Sequence, residues 1–303
     1  MQRHIPVLKD EILNLFQGLS GILLDGTFGG GGHTETLLEQ NPELKIIGLD
    51  IDPEAKHRAE ILKEKYFNRF KFVGINFSEL DTLQEKFSGI LLDLGVSSFQ
   101  LDDRNRGFSF RQDGPLDMRM NPEKGLSAQA FLKTASKEEL IAAIRNAGEE
   151  PQWRSVVNAI LAHRDTEIWN TTLEFVKFLE DKTTIYRSKK PGIHAATRVF
   201  QGLRIVVNQE LEHLQIGIKK AFEALTERGI LVIITFHSLE DRIVKQHFYK
   251  WCGRSLNRYD AQPRQLKIVK AELGSRKPIT ASQEEIKQNP RSRSAKLRIL
   301  RKL

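Results

Sequence analysis

Leu24-Asp25-Gly26-Thr27-Phe28-Gly29-Gly30-Gly31-Gly32-His33 decides how this chain folds. The apolar run Gly21-Ile22-Leu23-Leu24-Asp25 enters it as a buried strand, and a helical pattern from about Thr34 to Gln40 leaves it. Glycines at such a turn let the backbone pass close to a ligand and accept positive φ. The same rhythm continues outward. Lys45 to Asp50, Phe70 to Val73 and Gly89 to Leu94 read as strands, and Pro53 to Lys65 as a helix. Short strands spaced by helices predict a parallel sheet covered on both faces, an α/β doubly wound fold.

The turn also narrows the ligand. A dinucleotide calls for Gly-x-Gly-x-x-Gly with the pyrophosphate on the helix N-terminus. That register fails, because its last position falls on Thr34 or Glu35. No Gly-Lys-Ser/Thr closes the loop, so a P-loop is excluded. S-adenosylmethionine has no phosphate. It needs bare backbone around its amino-acid tail and a carboxylate for its ribose hydroxyls. Asp50, 24 residues past Gly26 at the end of the second strand, stands where such a carboxylate belongs. A helix-capping Asp50 in a plain glycine turn is the simpler alternative. Phe77, after the third strand, suits the face of an adenine or, equally, a core position. Asp93 ends the fourth strand, and ligands of open α/β sheets bind at those strand ends.

Beyond Leu94 the pattern changes. Residues 95–122 form a long polar, glycine-containing stretch, which a compact domain rarely tolerates without a function. An all-helical block follows. Ser136 with Glu139 and Thr171 with Glu174 fit capping boxes, Gly148 suits a helix end and Pro151 a first turn. Residues 123–196 are therefore expected as an inserted helical domain, with 1–122 and 197–303 forming the sheet domain. One helix from Thr197 to Thr226 is predicted by its apolar stripe. Gly229 to Phe236, Gln265 to Lys270 and Ala295 to Arg301 read as the remaining strands. Ser282 and Glu285 cap a short helix that Asn289-Pro290 ends.

Composition sets the class. Hydrophobic residues make up 40% and charged residues 28% of 303, a globular balance. No apolar run approaches the roughly 20 residues a membrane crossing needs. Arg3 and His4 open an amphipathic stretch and not a signal peptide, so a cytoplasmic protein is expected. A single cysteine, Cys252, excludes a disulfide framework and a cysteine-based zinc cluster, and no metal is expected. Net charge is +8, but Lys250–Leu303 alone carries 15 basic against 4 acidic residues, a balance of +11. Such asymmetry suits a polyanion partner or, equally, a solvated basic face.

Longer blocks carry a family resemblance. They are Asp25-Gly-Thr-Phe-Gly-Gly-Gly-Gly-His33, Leu91-Leu-Asp-Leu-Gly-Val-Ser-Ser98 with Gln100-Leu-Asp102, and Arg106-Gly-Phe-Ser-Phe110 with Asp113-Gly-Pro-Leu-Asp-Met-Arg119. Ala196-Thr-Arg198 with Phe200-Gln201, Phe236-His-Ser-Leu-Glu-Asp-Arg242, and Asn289-Pro-Arg with Arg293-Ser complete them. On these the chain closely resembles the bacterial 16S rRNA cytosine-N4 methyltransferase family (RsmH/MraW). Phe99 stands where that family commonly has proline, and Ala195 where its His-Pro-Ala-Thr-Arg has proline. The resemblance implies a class I methyltransferase (Rossmann-like) fold with a helical insertion. It implies S-adenosyl-L-methionine as cofactor, contacted by Gly31, Gly32, His33, Asp50, Phe77, Asp93 and Gln100. The implied target is the N4 amine of a cytidine in the decoding region of small-subunit 16S rRNA. A homodimer is left open.

A cytosine N4 lone pair is delocalised into the ring, so the enzyme must align it and take its proton. Asp93, Ser97, Asp102 and Asp103 after the fourth strand, and His237 with Ser238 after the fifth, are the candidate acceptors. Asp102 and Asp103 in a solvated turn and His237 as a helix cap are the alternatives. Phe108, Phe110 and Arg111 lie where they could stack on an unstacked base or close over it. The rival functions are DNA methylation, a ribosome-binding assembly factor without turnover, and a nicotinamide dehydrogenase.

Overall fold

The computed structural model describes residues 5–166, 169–185, 194–255 and 268–303. The chain forms two compact units, one of residues up to Gly95 together with Leu211–Leu303, the other of Val96–Glu210. The first is built on seven strands: β1 (Ile22–Asp25), β2 (Lys45–Leu49), β3 (Phe70–Val73), β4 (Phe87–Asp93), β5 (Leu225–Thr235), β6 (Ala271–Leu273) and β7 (Lys296–Lys302). Their order across the sheet is β3-β2-β1-β4-β5-β7-β6. The run from β3 to β5 is parallel, as expected, whereas β7 is antiparallel to both β5 and β6, which makes the whole sheet mixed. From β1 the chain steps outward to β2 and β3, then crosses back to β4 on the other side. The strand order thus reverses between β1 and β4, and that is where open α/β sheets bind ligands. Helices α1 (Lys9–Phe16), α2 (Gly32–Gln40) and α3 (Pro53–Lys65) belong to this half of the chain.

The second unit is helical, with α4 (Ser98–Asp102), α5 (Ala128–Thr134), α6 (Lys137–Ile141), α7 (Trp153–His163), α8 (Thr172–Lys182) and α9 (Thr197–Val207). Both expected capping boxes form: Ser136 accepts the Glu139 N–H and Thr171 that of Glu174, while each glutamate reaches back. A π-helical stretch, Ala142–Ala147, continues α6 and ends at Gly148. The unit is wider than the 123–196 expected from sequence. Phe108, Leu116 and Met118 on one side, and Val199, Phe200 and Leu203 of α9 on the other, share its hydrophobic core. The polar look of residues 95–122 hides these apolar anchors. Backbone hydrogen bonds such as Met118 N–H to Arg106 O (3.0 Å) and Leu116 N–H to Asn170 O (2.9 Å) hold the stretch in place.

Three more helices, α10 (Glu210–Ala224), α11 (Ser238–Trp251) and α12 (Gln283–Gln288), complete the chain. The single helix expected from Thr197 to Thr226 is broken between α9 and α10. Gln209 takes a positive φ of 50°, an unusual state for a side-chain-bearing residue. Asn208 stabilises the break, donating to the carbonyls of Met118 (2.7 Å) and Arg204 (2.8 Å) and accepting the Met120 N–H (2.7 Å). Strand β5 starts at Leu225, earlier than the expected Gly229. The expected strand Gln265–Lys270 lies partly outside the described residues, and its described part, from Ile268 on, is not strand.

Alternation along the strands explains the layers. Leu23, Ile46, Leu91, Val232 and Ile234 point to one face, where they meet Ile12 and Phe16 of α1, Leu37 and Leu38 of α2, and Ala55, Ala59 and Leu62 of α3. Their neighbours Leu24, Ile47, Ile90, Leu92, Leu231 and Ile233 point to the other, against Leu214, Ile218 and Phe222 of α10 and Val244 and Phe248 of α11. A period of two with both phases apolar is what a sheet buried on both sides requires. The result is the expected doubly wound, class I methyltransferase fold with a helical unit inserted after β4. Among the described residues no helix is long and apolar enough to cross a membrane.

Candidate active site

The turn after β1 is shaped by close packing. Gly31 has φ 75° at the N-cap of α2, and a Cβ there would lie 2.6 Å from the Phe28 ring. A Cβ on Gly32 would lie 2.8 Å from Pro6. At Gly26 it would collide with Leu92 and sit 3.3 Å from the Cβ of Phe77. The glycines therefore bring bare backbone to the switch point between β1 and β4. Phe28 lies beneath, its ring stacked on Phe70 with centroids 5.4 Å apart.

Asp50, immediately after β2, is tied to this turn. Its Oδ2 accepts the Gly29 N–H at 2.7 Å and its Oδ1 the Asp52 N–H at 2.9 Å. A carboxylate oxygen has two acceptor positions, so one backbone bond to each leaves capacity for two donors side by side, the pattern of a ribose diol. Burial pushes the Asp50 carboxyl up to about 6, against the opposing pull of those backbone N–H groups. The cap of α3 is Asp52, whose carboxylate accepts the Glu54 N–H at 3.1 Å. Asp50 as a plain helix cap is thereby set aside.

Asp93 ends β4 next to the turn. Its N–H donates to the Thr27 hydroxyl at 2.6 Å. Its Oδ2 lies 3.6 Å from Nε2 of His33, the second residue of α2. Among the described residues, neither Asp93 Oδ1 nor His33 Nε2 has a hydrogen-bond partner, although both atoms are buried. Buried polar atoms are normally satisfied, and leaving one unpaired costs about 1–3 kcal/mol. Both atoms belong to residues beside the glycine turn and carry unused hydrogen-bonding capacity there. A third acid, Asp25, lies beneath. It accepts the Thr34 hydroxyl at 2.7 Å and the Thr27 N–H at 3.3 Å, and burial raises its pKa. Asp25, Asp50 and Asp93 thus close three adjacent strands, a setting whose sign suits a cation such as a sulfonium.

Phe77 begins a short helical turn, 77–83, after β3 and is half-buried. A Cβ on Gly217 of α10 would collide with its ring, so one side of Phe77 packs against that helix. Its ring packs in the core against α10 while its Cβ stands beside Gly26. After β5, His237 caps α11: its Nδ1 accepts the Glu240 N–H at 3.5 Å, and its Nε2 lies 3.1 Å from Glu240 Oε1. The sequence alternative of a capping histidine is what the structure has.

The remaining candidates belong to the helical unit. Ser97 caps α4, accepting the Gln100 N–H at 3.2 Å, while the buried Gln100 side chain accepts the Ser97 N–H at 2.9 Å. Asp103 caps the following turn by accepting the Asn105 N–H at 2.9 Å, and Asp102 is exposed at the end of α4. Phe108 is buried in the core, and Phe110 packs edge-on against Phe200 at 4.8 Å. These two aromatics hold the loop together instead of offering a free face to a base, which corrects that expectation. Arg111 is exposed. Sequence reasoning missed Thr27, Thr34 and Asp25 as members of the site. The one available signal was Asp25 itself, which ends its strand as Asp93 does.

The family model described as the MraW methylase family matches residues 1–303. Ribosomal RNA small subunit methyltransferase H of Heliobacterium mobile is 40% identical over 322 aligned positions, covering 99% of this chain and 99% of that protein. Among solved structures, an rRNA methylase from Streptococcus thermophilus is similar over 97% of this chain and 93% of its own, at 10% identity and a TM-score of 0.41. The N-methyltransferase NodS of Bradyrhizobium japonicum, in complex with S-adenosyl-L-homocysteine, is similar over 97% and 85%, at 9% identity and a TM-score of 0.41.

Proposed function

Because the chain belongs to the MraW methylase family over its whole length, we propose that it transfers the methyl group of S-adenosyl-L-methionine to the N4 amine of a cytidine in the decoding region of 16S rRNA. The observation that carries this reading is the buried, unpartnered Asp93 Oδ1 at the strand switch point, flanked by the glycine turn, His33 and Asp50. The bare backbone of Gly31 and Gly32 admits the amino-acid tail. Asp50 takes the ribose diol on its two remaining acceptor positions, and the half-buried Phe77 lines the adenine. Gln100 is a further candidate for the cofactor by the family resemblance.

The cofactor, when bound, supplies an electrophilic methyl carbon on a positively charged sulfur. What the protein adds is alignment and charge. The carboxylates at three strand ends favour a cation and disfavour the pyrophosphate of a dinucleotide. During transfer the N4–C bond forms as the C–S bond breaks, and one N4 proton must leave. Asp93 is assigned as its acceptor, since Oδ1 has no competing protein partner. Ser97, Asp103 and His237 already serve as helix caps, and Asp102 stands exposed, so their part is secondary. A base stacked in a duplex cannot reach such a crevice, so the cytidine must be single-stranded or flipped. A cytoplasmic ribosomal subunit is the matching partner.

The test is incubation of the protein with labelled S-adenosylmethionine and undermethylated small subunits, followed by nucleoside mass spectrometry. N4-methylcytidine located in the decoding region is expected. Label on another nucleoside, or on duplex DNA alone, would overturn the reading.

A further inference from the structure

Helix α11 is charged unevenly along its length. Its acids, Glu240 and Asp241, sit in the first turn. Asp241 is consumed by Arg298 (2.6 Å) and Lys296 (3.4 Å) of β7. The second half reads Lys245-Gln246-His247-Phe248-Tyr249-Lys250-Trp251, with Arg254 just beyond, an interleaving of cations and aromatics. Lys245 and Lys250 are exposed, and His247, Tyr249, Trp251 and Arg254 are half-buried.

Two sets of contacts brace these groups. Lys245 Nζ lies 5.2 Å and the Arg254 guanidinium 5.7 Å from the Tyr249 ring centroid. Trp251 stacks on Phe222 of α10 at 4.1 Å and meets His247 at 5.5 Å. Burial, then the nearby charges of Lys219 and Lys250, lower the pKa of His247. Among the described residues, Lys245, Lys250 and Arg254 form no ion pair with a carboxylate, while Lys65, Lys220, Lys296 and Arg298 of the same unit do. Favourable interaction with the α11 C-terminus accounts for a cation at Lys250. It does not account for Lys245, which lies mid-helix. None of these cations enters the methyl-transfer chemistry described above.

We propose that the second half of α11, with Lys245 and Arg254 beside Tyr249 and the exposed Lys250 next to it in sequence, is a docking surface for the sugar–phosphate backbone of RNA. Unpaired cations braced by aromatic rings are the footprint of a polyanion, since each phosphate they neutralise releases bound counterions. A lipid surface would also need exposed apolar side chains, and α11 exposes no large aliphatic one. The proposal rests on the rRNA reading for the identity of the polyanion. It adds that the sheet unit itself, on an outer helix, carries part of the grip on the substrate.

The test compares wild type with the triple variant Lys245→Gln, Lys250→Gln, Arg254→Gln in binding to undermethylated small subunits across a potassium chloride series. The slope of log affinity against log salt should become shallower by roughly 2–3 in the variant. Far-ultraviolet dichroism and S-adenosylmethionine affinity by calorimetry should stay at wild-type values. Lys65→Gln, which removes an already paired cation, should leave the slope unchanged. An unchanged slope in the triple variant overturns the docking surface even if wild type methylates the subunits. A shallower slope together with absent N4 methylation by wild type keeps the surface and overturns the function. Loss of binding to phosphatidylserine vesicles with unaltered RNA binding would assign the face to lipid and end the proposal.

Discussion

The ends of β1, β2 and β4 and the helix starts of the inserted unit use the same kinds of side chain to opposite effect. In the helical unit Ser97, Asp103, Ser136 and Thr171 all spend their oxygens on backbone N–H groups at helix N-termini. At the strand ends Asp93 Oδ1 and His33 Nε2 are buried and unmet, and Asp50 carries a carboxyl pushed up to about 6. A satisfied cap contributes to folding and asks for nothing more. A buried acceptor left open raises the free energy of the empty protein and lowers it again only when a ligand arrives. Complete hydrogen bonding thus marks these four caps, and an open acceptor marks the end of β4.

Substitutions sharpen that contrast or break it. The largest effect is expected at Asp93. Asp93→Ala should lower methyl transfer by at least about 10²–10³-fold, the scale of a lost electrostatic contact in a transition state, with native far-ultraviolet dichroism. Near-wild-type turnover would remove Asp93 from the mechanism.

Asp50→Asn should weaken S-adenosylmethionine about tenfold to a hundredfold by calorimetry, the loss of a charged hydrogen-bond acceptor. Its pH dependence carries a sign. Since the folded, ligand-free protein holds the Asp50 proton more tightly than an ordinary carboxyl, this group stabilises the fold as pH falls through about 6 and destabilises it above. Ligand binding needs the carboxylate, so affinity should be level above that pH and fall below it, by at most about tenfold per pH unit. Affinity that stays level down to about pH 5 would disconnect Asp50 from the ligand.

Next in size is Thr27→Val, which strands the Asp93 N–H. It should cost about 1–3 kcal/mol in denaturant unfolding, and Thr27→Ser should restore most of it. The smallest effects belong to the caps. Ser136→Ala and Ser97→Ala should each cost about 1 kcal/mol of stability and leave turnover near wild type. A turnover loss at Ser97 beyond what unfolding explains would move that hydroxyl from capping to chemistry.

Much of this was legible along the chain because it is local. The Asp52 cap of α3, the Ser136–Glu139 and Thr171–Glu174 boxes and the Ser282 cap of α12 involve residues two or three apart. Their hydrogen bonds follow from backbone geometry alone. The break between α9 and α10 was not legible. Its apolar stripe continues through Val206 and Val207 toward Leu211, and only Asn208, bonded to Met118 and Met120, shows why the helix stops. Phe108 and Phe110 were misjudged for the same reason. Flanked by polar residues, they look exposed, yet the core of the helical unit takes them in.

The order of apolar runs, glycines and acids by itself determined a doubly wound sheet with a nucleoside-type crevice. Strand alternation, glycine freedom and the acids near strand ends are short-range properties written in consecutive residues. Only the tertiary structure decided which acids stay open to a ligand. Whether Asp93 keeps an unmet oxygen, or Asp52 and not Asp50 caps α3, depends on which donors the folded backbone brings within about 3 Å. Those donors come from neighbouring strands and turns, which meet only after the chain has folded.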